Sequence, residues 1–151
     1  MSMRRMGLLS TITFLLALAP GVALAGASVA GGLAVTSQPS STGGMAILSS
    51  GPSIPLLPID FQGSLAVPLT KNGGFALTAE MRGFTGGGFG GAYFGGGVGL
   101  GTIGTTRTMG PVLTVFAGKS IAPFTSLEIR LYQATRDGGS TIGFVGLRFG
   151  L

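Results

Sequence analysis

The chain has 151 residues, of which only 9% are charged and 45% hydrophobic, with glycine at 30 positions and a formal net charge of +5. So little charge argues against an ordinary soluble surface, where about 25% is usual. The few scattered basic groups exclude a nucleic-acid footprint, and the apolar content argues against disorder. Zero cysteine removes disulfides, thiolate metal sites and cysteine nucleophiles, and zero histidine removes the usual side chain that titrates near neutral pH.

The N-terminus reads as a secretory signal. Arg4 and Arg5 are followed by a mostly apolar run, Leu8 to Leu18, then by Pro20 and Gly21. Ala23-Leu24-Ala25 places small residues at the two positions that determine cleavage, so the cut is expected after Ala25. The run falls short of the roughly 17 residues needed for a membrane span. Residues 26–151 then form one domain by size.

Beyond residue 25 the pattern is that of strands. Two Gly-, Ala- and Ser-rich stretches, Ala27 to Thr36 and Gly44 to Ser50, alternate weakly and are expected as the first two. Pro52, Pro55 and Pro58 mark a loop or an edge, because proline cannot donate to a ladder. At 58–70, Ile59, Phe61, Leu65, Val67 and Leu69 share one face with Gly63, opposite Asp60, Gln62, Ser64 and Ala66. Lys71-Asn72-Gly73-Gly74 is a tight-turn sequence.

At 74–84, Phe75, Leu77, Ala79 and Met81 alternate with Ala76, Thr78, Glu80 and Arg82. The glycine-rich 91–103 puts Tyr93, Gly95, Gly97 and Gly99 on one face. It lacks the helix start and the partners of a phosphate-binding loop, so nucleotide binding is not expected. Interior glycines make room for long side chains or mark bends. Strands at 110–119, 124–134 and 140–151 complete a count of eight. In the second of these, Leu127, Ile129 and Leu131 alternate with Glu128, Arg130 and Tyr132.

The last strand has Val145, Leu147, Phe149 and Leu151 on one face, with Gly146, Arg148 and Gly150 on the other. An apolar face running to the final residue suits a strand with lipid outside and a polar lumen inside. Gly146, Phe149 and Leu151 also resemble the C-terminal assembly signal of bacterial outer-membrane barrels, with Phe144 standing where that signal has a polar residue.

By signal peptide, strands and C-terminal signal, the chain resembles the small eight-stranded bacterial outer-membrane β-barrel family, of the outer membrane protein A and X type. The resemblance implies an all-β, antiparallel, up-and-down transmembrane barrel in the outer membrane, in contact with its lipid and the barrel-assembly machinery. Such barrels carry aromatic girdles. With no Trp and only Tyr93 and Tyr132, phenylalanines such as Phe61, Phe75, Phe84, Phe94, Phe116, Phe124 and Phe149 are expected to serve.

A lumen charge network is expected from Glu80, Arg82, Glu128, Arg130 and Arg148. An interior of eight strands is just wide enough to be filled by side chains, so these groups plug it. If the last hairpin turns about Gly138, Glu128 faces Arg148. A register two residues different puts Arg148 opposite Ser126, with Glu128 diagonal and within reach.

Without histidine, and with Glu80 and Glu128 beside arginines, no enzyme, cofactor or metal is expected. The expected role is structural or interactive. A narrow channel or carrier of a small apolar ligand, and a soluble lipocalin-like barrel, are the alternatives. With the C-terminus on the periplasmic side, Lys71, Arg107, Arg136 and Asp137 lie in outward turns, where the basic groups can meet lipid or lipopolysaccharide phosphates.

Overall fold

The computed structural model describes residues 26–38, 40–52, 58–70, 73–86, 90–104, 108–136 and 139–150. The signal sequence with Ala23 and Ala25, the turn residues Lys71, Asn72, Arg107, Asp137 and Gly138, and the terminal Leu151 lie outside the described residues.

Eight strands form: β1 (Ser28–Ser37), β2 (Ser40–Ser50), β3 (Ile59–Leu69), β4 (Ala76–Thr85), β5 (Ala92–Gly101), β6 (Gly110–Ala122), β7 (Thr125–Ala134) and β8 (Thr141–Gly150). Each pairs antiparallel with its neighbour in sequence, and β8 pairs with β1, so the sheet closes and has no edge. Ladder partners run from Ser28 through Ser49, Ser64, Thr78, Gly99 and Val112 to Ala134. Ala134 N donates to Ser140 O, and Gln38 N donates to Ser140 Oγ, which returns the path to the β1 end ten residues from its start. That stagger is the shear of the barrel and goes with a strand tilt of about 35–45°.

The wall is inside-out relative to a water-soluble protein. On β7, Leu127, Ile129 and Leu131 are 45%, 57% and 51% exposed, while Glu128, Arg130 and Tyr132 are 0%, 2% and 0% exposed. Val145, Leu147 and Phe149 do the same on β8, and Leu65 and Val67 join Phe61 and Leu69 on the outer face of β3. A period of two with apolar groups outward and charges inward is the membrane-barrel pattern.

Two boundaries differ from the sequence expectation. β2 begins at Ser40 rather than Gly44. Its alternation is faint because both faces carry uncharged residues: Met45, Ile47 and Ser49 point inward, Ala46 and Leu48 outward. β6 continues to Ala122, past the expected turn at 119, and only Pro123 and Phe124 separate it from β7. The proline-rich segment does fall between strands, with Pro52 and Pro58 flanking the β2–β3 connection.

The register of the last hairpin is the second of the two expected. Ser126 pairs with Arg148, Leu127 with Leu147 and Glu128 with Gly146.

The candidate functional site: a closed ring of side chains across the lumen

β3, β4, β7 and β8 each send long polar side chains inward, and these meet across the barrel axis. Arg148 Nη1 donates to Glu128 Oε2 at 2.8 Å, and Arg130 Nε donates to Glu128 Oε1 at 3.0 Å. Arg130 Nη1 donates to Glu80 Oε1. Gln62 Nε2 donates to Glu80 Oε2 at 2.6 Å, and Arg148 Nη2 donates to Gln62 Oε1 at 3.0 Å. The path returns to its start, so Arg148, Glu128, Arg130, Glu80 and Gln62 form a closed ring. Two carboxylates and two guanidiniums leave it electrically neutral. Every member is buried, Gln62 being the most exposed at 6%.

Buried ions are tolerated only when paired and hydrogen-bonded, and here each is. Glu80 also accepts from Thr78 Oγ1 at 2.6 Å and Ser64 Oγ at 2.9 Å. Glu128 accepts from the Tyr93 hydroxyl at 2.8 Å. Arg148 donates twice more, from Nε and Nη2 to Ser28 Oγ on β1. Arg130 also donates to the Tyr132 hydroxyl at 3.2 Å, and its guanidinium lies 4.2 Å from the centroid of Phe116. Such a cation over an aromatic face is favourable, the more so away from water. All four carboxylate oxygens of the ring therefore accept hydrogen bonds from fixed protein groups.

Glycine provides the space for this. On β5, a methyl group at Gly97 would lie 2.3 Å from Ala79 O and 2.7 Å from Glu80 Cγ. On β6, one at Gly118 would lie 2.2 Å from Tyr93 Cζ. The glycine-rich stretch of β5 is thus the wall against which the ring packs.

Of the five charged residues expected in the network, four come together. Arg82 stands apart: its Nη2 bonds Asp60 Oδ2 at 3.2 Å, toward the barrel mouth beside the chain termini, where each side chain keeps 16% exposure. Asp60 was legible only as a member of the inward face of β3, without a partner. Gln62, Tyr93 and Tyr132 were not singled out for the network, although Gln62 and Tyr132 share the parity of the charged residues on their strands and Tyr93 that of the glycine face of β5. The two tyrosines and Phe116 point into the lumen, which removes Phe116 from the girdle expected of it.

The lumen is polar over only part of its length. Toward the β1–β2, β3–β4, β5–β6 and β7–β8 connections its buried side chains are mostly apolar, among them Ala34, Met45, Ala66, Ala76, Ile103, Val112, Ala134 and Ile142. Arg136 covers this apolar plug from above, with Nη2 donating to Ile103 O at 3.3 Å. Its Nε and Nη1 are buried, so this guanidinium turns inward rather than to the rim. Among the described residues no group of acidic side chains is placed to hold a metal ion.

An antiparallel eight-stranded barrel, apolar outside and charged within, has the fold of the small outer-membrane barrels. Among solved structures the chain is similar to Neisserial surface protein A (NspA), with a TM-score of 0.63 over 83% of this chain and 96% of that one, at 14% identity. No protein-family model and no curated protein sequence matches it.

Proposed function

We propose that the chain is an integral protein of the bacterial outer membrane, delivered by a cleaved signal peptide, with a structural role as a closed, non-conducting barrel. The ring across the lumen carries this reading. It links β3, β4, β7 and β8 across the lumen, its members are buried, and a cluster of buried apolar side chains lies beyond it. A channel needs a continuous polar path, which the ring and the buried apolar side chains beyond it would interrupt. An acid–base enzyme needs a carboxylate oxygen free to meet substrate, and Glu80 and Glu128 have theirs engaged.

The outer wall speaks against the soluble lipocalin-like alternative. A soluble barrel puts its apolar residues inside, whereas here Leu33, Leu77, Phe94, Val98 and Val115 all stand outward and more than half exposed. The connections are short, the longest being 51–58 and 102–109, and offer little loop surface for a large partner. The C-terminal end faces the periplasm, and Gly146, Phe149 and Leu151 present the last strand to the assembly machinery. Lipid, with lipopolysaccharide phosphates at the Lys71 and Arg107 turns, is the main partner of the wall.

Cell fractionation with a heat-modifiability gel tests this. The protein should stay with the outer membrane until detergent is added, and should migrate differently before and after boiling. Release into the periplasmic fraction without detergent would refute the membrane reading.

A further inference from the structure

Ile103 is the one member of the buried apolar cluster that no strand carries. It lies between the end of β5 at Gly101 and the start of β6 at Gly110, and it is still only 1% exposed. Its neighbours in the cluster are small, with Ala34, Ala66, Ala76 and Ala134 supplied by four different strands. A loop residue thus takes up space that the strands leave open.

Few bonds hold it there. Thr102 N donates to Phe75 O at 2.9 Å, and Phe75 N donates to Thr102 Oγ1 at 3.2 Å, which ties one end beside β4. Gly104, at φ 130°, makes an isolated antiparallel bridge with Gly139 in the β7–β8 connection. Residues 102–104 therefore form a strap across the mouth of the barrel, with Ile103 pressed into the lumen. Both residues of the bridge are glycines, and Gly104 adopts a backbone that side chains disfavour.

Arg136 is the second observation. Its Nη2 donates to Ile103 O at 3.3 Å, while Nε and Nη1 are buried and have no partner. The acidic side chains among the described residues, Asp60, Glu80 and Glu128, are taken by Arg82, Arg130 and Arg148. A largely buried cation is left holding one neutral carbonyl, and burying a charge without a counter-charge is costly. Nη2 forms one edge of the guanidinium with Nε and another with Nη1. A carboxylate in the place of Ile103 O would fill such a fork with two charge-assisted bonds, where the carbonyl fills half of it.

We infer that this half of the lumen is a seat for a short, branched aliphatic monocarboxylate, whose place Ile103 takes in this structure. The carboxylate replaces Ile103 O on Arg136, and the tail replaces the Ile103 side chain among the alanines. The strap moves aside about Gly104, giving up one bridge and one hydrogen bond. β-Methylvalerate, which keeps the carbonyl carbon, Cα and side chain of isoleucine, has the matching shape. The inference rests on the closed-barrel reading above and adds a ligand to it. The ring of Arg148, Glu128, Arg130, Glu80 and Gln62 stays as the floor, so binding opens no path through the barrel. Because the strap competes for the seat, the apparent affinity falls by the fraction of molecules in which the seat is free.

Methionine methyl signals read this directly. Met45 belongs to the buried cluster, while Met81 and Met109 are 51% and 59% exposed. The exported protein, labelled at its methionine methyl groups, is folded in detergent, checked by heat modifiability and titrated with β-methylvalerate at neutral pH. The Met45 signal should shift saturably, and the Met81 and Met109 signals should stay. Ile103→Ala removes the competitor, so the shift should saturate at roughly tenfold lower acid. Arg136→Gln should abolish it, and the neutral amide of the same acid should not produce it. No saturable Met45 shift in Ile103→Ala, or an equal one in Arg136→Gln, would overturn the seat and leave the barrel reading intact. Equal shifts of all three signals would show partition of the acid into detergent and would also overturn it. Unsubstituted protein that is not heat-modifiable would overturn the barrel reading and the seat with it. Should Ile103→Ala fail to fold, the unsubstituted protein and Arg136→Gln are read by the same criteria.

Discussion

Arg148 stands opposite Ser126 in the ladder, yet its Nη1 lies 2.8 Å from Glu128 Oε2 on the next inward position of β7. Glu128 itself pairs with Gly146, where an added methyl group would meet Gly31 O at 2.4 Å and Phe144 Cζ at 2.6 Å. Glu128 is thereby shared between Arg148 and Arg130, which lies two residues along its own strand.

This sharing predicts the outcome of a mutant cycle. Glu128→Leu leaves two buried guanidiniums short of a partner, and removing one member of a buried pair costs roughly 3–5 kcal/mol. Arg148→Leu should cost a comparable amount. In the double variant, Arg130 and Glu80 still pair, the ring stays neutral, and much of the loss should be recovered. Urea unfolding in detergent for the four proteins checks this. Additive losses would show that the two residues act independently.

Glycines on the two faces of the wall should respond oppositely. Gly97→Ala drives a methyl group against Ala79 O and Glu80 Cγ, at 2.3 and 2.7 Å, and overpacking of this kind costs about 1–3 kcal/mol. Gly31 is outward, with nothing within 4 Å of an added methyl group. Gly31→Ala should be neutral or stabilising by about 0.4–1 kcal/mol through the unfolded chain. Equal unfolding midpoints for the two variants would contradict the packing of β5 against the ring.

The strands were legible because a closed wall between two unlike media imposes a period of two, clearest where long apolar residues alternate with charges, as on β7. Where the lumen takes small or uncharged groups, as with Ala30, Ala34 and Met45 on β1 and β2, the contrast fades and boundaries blur. The charges at 80, 128, 130 and 148 were legible by parity. The reach of Arg148 to Glu128 was legible from the hairpin register, but the closure through Gln62 was not, because it depends on the barrel's shear, which brings β3 and β4 across the axis from β7 and β8. Arg82 has the same parity as Glu80 and yet leaves the ring, since only its height in the lumen, beside Asp60, decides its partner. Phe116 was expected at an interface from residue type, and its inward parity, visible in the sequence, was the better guide.

The C-terminal strand carries a prediction about assembly. Phe149 faces outward, 43% exposed, between Val29 on β1 and Thr125 on β7. Phe149→Asp places a carboxylate on the lipid face and removes the aromatic group of the expected signal. Outer-membrane assembly should fail, with the chain degraded or retained in the periplasm, as measured by fractionation and heat modifiability. Normal assembly would show that Phe149 is not part of the signal.

Conductance across a planar bilayer tests the sealed lumen most directly. With Arg148, Glu128, Arg130, Glu80 and Gln62 joined across the axis and the apolar plug beyond them, the folded barrel should insert and give no discrete current steps over a wide voltage range. Steady single-channel steps from the folded, heat-modifiable protein would contradict the account.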